Sequence, residues 1–235
     1  NYTGTGQTLK VVAYRHLTLS GGAETFGAIT TIAGTLTLSG TATATTAANL
    51  AISVNLVVGT GTTFTVAVDF TLAVTGTTSV TGTLTLAGTG SKTFTDNVTI
   101  NSGGLWNETG VAAFSFGGNL QNDGTLTANT GVHTFTGATK TFSGANAIVI
   151  PSVTVNGTYQ NNGTLTVNTA LAGSGTLTQG TTGILNIGGT SATFTLVATA
   201  VGNTVTYNQT GTSQTVLGLT YGGLLTLSGT STKNF

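Results

Sequence analysis

Ionisable side chains are scarce. The cations are Lys10, Arg15, Lys92, Lys140 and Lys233, the acids are Glu24, Asp69, Asp96, Glu108 and Asp123, and the imidazoles are His16 and His133. Cleavage of a glycan requires paired carboxylates, or a carboxylate with Arg or Lys, converging on one groove. The acids here are scattered and Arg15 is the sole arginine, so no catalytic set is expected; the acids are read as solvated or corner-capping. His16 and His133 have neither cysteine nor acid at ligand spacing, which predicts surface or packed imidazoles and no metal. The Gly-Gly-x-Gly-x-Asp repeat that holds Ca²⁺ in β-rolls does not occur. With no Cys and no Met, disulfide and redox chemistry drop out, and no cofactor is expected. Charged residues make up 4% of the chain and the net charge is zero, which excludes the clustered Lys and Arg of a nucleic-acid partner. No stretch has the ~18 uninterrupted apolar residues of a membrane-spanning helix.

One side chain is abundant. Of 235 residues, 58 are threonine and 36 glycine. Hydroxyl pairs of the form Thr-x-Thr occur at Thr35/Thr37, Thr83/Thr85, Thr125/Thr127, Thr164/Thr166 and Thr176/Thr178. Flat threonine arrays on a solenoid resemble those of ice-binding proteins. These five pairs are unevenly spaced, which predicts ordinary solvent-facing alternation rather than a lattice-matching plane.

The elements that carry these residues are repetitive. Gly-Thr-Leu-Thr recurs at Gly34, Gly82, Gly124, Gly163 and Gly175. Above it lies a longer echo: Asn1 to Gly21 matches Asn208 to Gly229, with Tyr14 opposite Tyr221, Leu17 and Leu19 opposite Leu225 and Leu227, and Phe26 opposite Phe235. Residues 1–26 and 208–235 thus read as equivalent phases of a unit of about 207 residues within one continuous domain, 1–235. Alternation in Thr35–Leu38, Thr63–Val68, Val153–Val155 and Thr193–Leu196 predicts strands with an apolar face inward and threonine outward. Glycine breaks such as Gly59-Thr60-Gly61 and Gly188-Gly189 are corners.

Short, evenly spaced strands suit a sandwich, a barrel or a solenoid. Charge depletion selects the solenoid, because coils stacked ~4.8 Å apart set like side chains above like. Like charges at that spacing repel by roughly 1 kcal/mol even in water. The expected fold is an all-β, right-handed parallel β-solenoid of about a dozen coils; the alternative is an antiparallel β-sandwich of a pilin-like fibre subunit. Asn156-Gly157, Asn162-Gly163 and Asp123-Gly124, which in a sandwich would be hairpin turns, are read as tight corners needing φ > 0.

Gly163 to Gly180, together with Tyr14–Gly21 and Tyr221–Gly229, resembles the β-strand repeats of very large bacterial surface and secreted proteins, similar to filamentous-haemagglutinin-like adhesins. The resemblance implies structural or adhesive use outside the cell or on its surface. Open solenoid ends template further strands, so the expected function is a fibre or surface rod. It would be built by head-to-tail stacking on itself, as separate subunits or as covalent tandem repeats. The expected contacts are Tyr14, Leu17, Leu19, Phe26, Tyr221, Leu225, Leu227 and Phe235. The alternative is an adhesin stalk whose partners are surface glycans.

Overall fold

The computed structural model describes residues 1–191 and 194–235. Two units are distinguished: residues 1–115 with 123–129, and residues 116–122 with 130–235. Both are all-β and are wound as parallel β-solenoids, about 11 turns in all, with no helix among the described residues. Every strand pairing described is parallel, so no antiparallel sandwich forms.

In the first unit the chain visits three sheets in turn. The first holds Leu17–Leu19, Leu36–Leu38, Leu56–Val58, Thr78–Val80 and Val98–Ile100. The second holds Ala23–Thr25, Thr43–Thr45, Thr63–Val66, Thr83–Gly88, Leu105–Gly110 and Thr125–Thr127. The third includes Thr31–Ile32, Leu50–Ile52, Leu72–Val74 and Lys92–Phe94. Register is close to like on like: Leu17, Leu36, Leu56, Thr78 and Val98 form one inward file of the first sheet. Alternate residues of a strand point to opposite faces, so the apolar members bury and their partners face out.

Corners are fixed by side chains that reach one coil forward, 19 to 22 residues along the chain. His16 Nδ1 accepts the Thr35 N–H, Asn49 Oδ1 the Thr71 N–H, and Asn55 Oδ1 the Thr77 N–H, at 3.1, 2.8 and 2.9 Å. Each bond satisfies a backbone donor that the turn removes from the ladder.

Besides a short pairing of Gln214–Thr215 with Lys233–Asn234, the second unit has two long ladders. One runs through Leu120–Asn122, Lys140–Ser143, Thr158–Asn161, Thr176–Gln179 and Thr195–Val197. The other runs through Val132–Phe135, Ile148–Val155, Thr164–Ala172, Ile184–Ile187, Thr204–Tyr207 and Leu224–Leu227. The register of Ile148–Val155 against Thr164–Ala172 shifts between Ile150 and Ser152. Pro151 sits at that shift, and its missing N–H explains the interrupted ladder. Thr193, in the strand expected at Thr193–Leu196, lies outside the described residues; the strand observed there is Thr195–Val197.

The glycines of Asn156-Gly157 and Asp123-Gly124 are corners for a reason other than the expected one. Neither has positive φ, nor does Gly163 of Asn162-Gly163. A Cβ on Gly157 would lie 2.0 Å from the Gly137 carbonyl oxygen, and one on Gly124 would lie 2.4 Å from that of Gly104. What glycine supplies there is close approach between successive coils.

Candidate functional site

Most acids, cations and imidazoles are exposed or half-buried, and four are buried: Glu24, Lys92, Glu108 and His133. Asp69 caps a corner, its Oδ1 accepting the Thr89 hydroxyl at 2.6 Å, and Asp96 Oδ1 accepts the Asn97 N–H at 2.7 Å. Glu24, Glu108 and Lys92 instead point into the first unit's core. Glu108 is well bonded: Trp106 Nε1–H donates to its Oε1 at 2.7 Å and the Asn129 N–H to its Oε2 at 2.9 Å. Lys92 Nζ donates to the Phe70 and Ala87 carbonyls at 3.0 and 3.3 Å and also to that of Gly90. Burial pushes its pKa down, with Asp69 and Glu108 opposing the shift. Neither Glu24 oxygen has a partner in good hydrogen-bonding geometry; burial pushes its carboxyl up, and only the nearby Gly21 backbone N–H opposes the shift. His133 packs parallel to Phe116 at 6.4 Å. Among the described residues no three of His, Cys, Asp and Glu cluster as metal ligands, and no helix is long and apolar enough to cross a membrane.

The expected contact residues divide by burial. Leu17, Leu19 and Phe26 are closed inside the first unit, because the segment before them pairs over them: Tyr2 bridges to Leu19 and Thr8 to Thr25. Phe26 also meets the Phe64 ring at 5.8 Å. These three therefore cannot meet a neighbour. Tyr14, Tyr221 and Leu225 are half-buried, while Leu227 and Phe235 stand open, 41% and 86% exposed. Sequence reasoning missed Leu224, 61% exposed beside them, and Val11 and Val12, exposed in the first unit.

The echoed tyrosines do share a device. Tyr14 OH donates to the Lys10 carbonyl at 2.8 Å, while Tyr2 OH accepts the Lys10 N–H at 3.0 Å and lies 2.7 Å from the Tyr14 hydroxyl. In the second unit Tyr221 OH donates to the Leu217 carbonyl at 2.9 Å, and Tyr207 OH accepts the Leu217 N–H at 3.2 Å and lies 3.0 Å from Tyr221 OH. Each pair clamps both backbone groups of one loop residue. Burial raises Tyr14 to about 12 and pushes Tyr221 up as well. The second tyrosine of each clamp was not visible in the echo, because Tyr2 aligns there with Gln209.

The threonine pairs also sort differently from their spacing in sequence. Thr35/Thr37 belongs to the first sheet of the first unit, whereas Thr83/Thr85 and Thr125/Thr127 belong to the second. On that second sheet they are joined by Thr43/Thr45 and Thr63/Thr65, in register on three consecutive coils with Thr83/Thr85, while Leu105/Asn107 stands between Thr83/Thr85 and Thr125/Thr127. The uneven spacing arose from comparing pairs on different faces.

No protein-family model matches the chain, and neither a curated protein nor a solved structure matches it.

Proposed function

We propose that the protein is a structural β-solenoid of a fibre or surface rod, outside the cell, extended by stacking of coils end on. The carrying observation is the last strand of the second unit's longer ladder. Leu224–Leu227 pairs on one side with Thr204–Tyr207 and has no described partner on the other. It exposes Leu224 and Leu227, with Phe235 nearby in sequence. An unpaired strand edge with apolar side chains is a template for a further strand. The next coil belongs either to a second copy or to a tandem repeat of the same polypeptide. Contacts of this heterologous kind do not close, so they generate filaments. The near-absence of charge supports the reading, since stacked coils tolerate ladders of Thr and Asn but not of Lys or Glu. The resemblance to haemagglutinin-like repeats supports it as well.

The test is assembly of the purified chain, followed by sedimentation and negative-stain electron microscopy. Concentration-dependent filaments are expected, shortened or lost in Leu224→Asp/Leu227→Asp. A monodisperse monomer at every concentration, or filaments indifferent to that double substitution, refutes stacking through this edge.

A further inference from the structure

On the second sheet of the first unit, the outward positions form two files. Ala23, Thr43, Thr63, Thr83, Leu105 and Thr125 make one, and Thr25, Thr45, Thr65, Thr85, Asn107 and Thr127 the other. Within a file neighbours are ~4.8 Å apart, and across a strand the two files lie ~6.6 Å apart, twice the rise per residue. The sheet is thus a near-rectangular grid of hydroxyls and methyls, broken at Ala23, Leu105 and Asn107.

Three observations distinguish this grid from the default polar surface. First, threonine pairs are densest on this face. The central outward file of the first sheet reads Thr18, Thr37, Val57, Ser79 and Thr99, and that of the third reads Thr31, Ala51, Ala73 and Thr93. Those sheets carry one Thr-x-Thr pair each, Thr35/Thr37 and Thr93/Thr95, against four on the second. Second, the face carries no charge. The acids on these strands, Glu24 and Glu108, both point inward and are buried, and Glu24 is left there without a hydrogen bond of good geometry. Third, the grid is rigid. Threonine is β-branched and stiff at χ1, and its neighbours stand directly above and below it.

We propose that this face binds ice. A threonine hydroxyl both donates and accepts, so each grid point can replace a water of the crystal surface whichever way that water is oriented, while the methyls between them hold the intervening waters in place. The regular spacing lets many weak contacts form at once without the ordering cost that mobile side chains would incur. A glycan surface is the poorer occupant, because sugar platforms use aromatic rings and the outward files contain none.

The experiment is partitioning of the purified chain into a slowly growing ice front, together with crystal shaping and thermal hysteresis. The chain is expected to concentrate in the ice and to facet the crystals. Thr65→Lys/Thr85→Lys should abolish both effects with an unchanged circular dichroism spectrum, and Thr37→Lys/Thr99→Lys on the first sheet should leave them intact. Exclusion of the unsubstituted chain from ice overturns the proposal. So does equal loss in the two double variants, or retention on crystalline cellulose or chitin in place of ice. None of these outcomes depends on filament assembly.

Discussion

Glu24 and Glu108 sit on the same sheet and both point inward, yet the same substitution is expected to act on them with opposite sign. Glu24 makes no hydrogen bond of good geometry, whereas Glu108 takes one from Trp106 and one from Asn129. Replacing Glu24 by Leu removes a buried acceptor pair whose desolvation goes uncompensated, a relief of about 1–3 kcal/mol. It also adds apolar contact beside Ala44 and Phe64, next in its file. A net gain of about 2 kcal/mol raises Tm by roughly 4–8 °C at this chain length. Glu108→Leu strands the Trp106 and Asn129 donors and should cost about 2–4 kcal/mol. The pH dependence separates the two effects further. The Glu24 carboxyl is raised above its ordinary value of 4.5, so its contribution is fully present below that pH and is lost as pH rises through the folded value. Thermal melts followed by circular dichroism between pH 3 and pH 8 should therefore show a declining segment in the unsubstituted chain that is absent in Glu24→Leu. Loss of stability in Glu24→Leu at pH 7, or an unchanged pH profile, would refute the assignment of Glu24 as an unsatisfied core acid.

Lys92 is the alkaline counterpart. Its lowered pKa means that its contribution is complete above the ordinary 10.5 and is lost as pH falls through the folded value, so Lys92→Met should flatten denaturant-measured stability between neutral pH and pH 10.5. Gly157→Ala should destabilise by about 3 kcal/mol, because the new methyl meets the Gly137 carbonyl; a urea midpoint equal to that of the unsubstituted chain would show that the coils can part at this corner. Trp106, the one tryptophan of the chain, is closed against Phe94 at 4.9 Å. Its emission should be blue-shifted and insensitive to iodide until the first unit unfolds.

The winding was legible in the sequence because its causes are local and repeated. Alternation placed Leu36–Leu38 and Thr63–Val66 in strands, and the absence of charge selected stacked parallel coils over a sandwich. The features that failed depend on which sheet a segment joins. Gly-Thr-Leu-Thr marks a corner and the strand after it, but not which of three sheets that strand enters. Thr43/Thr45 and Thr63/Thr65 lack the leading glycine, so the regular face stayed hidden behind pairs drawn from other faces. Ala23-Glu24-Thr25 reads as an exposed polar triplet, and only its register with Ala44 and Phe64 turns the carboxyl inward. Leu17 and Leu19 echo Leu225 and Leu227 in sequence, but burial follows whatever lies over a strand, and Tyr2 to Thr8 cover only the former.

The asparagine and aspartate corner acceptors share a direction. Asn49, Asn55 and Asp69, like Asn119 and Asn156 in the second unit, all offer an oxygen to an amide that arrives later in the chain. A completed coil is thus a mould with its acceptors already set out, and the polypeptide emerging after it needs no distant partner to settle. Such a chain can be laid down turn by turn from its amino end while the remainder is still being threaded through a ribosome or a narrow export pore.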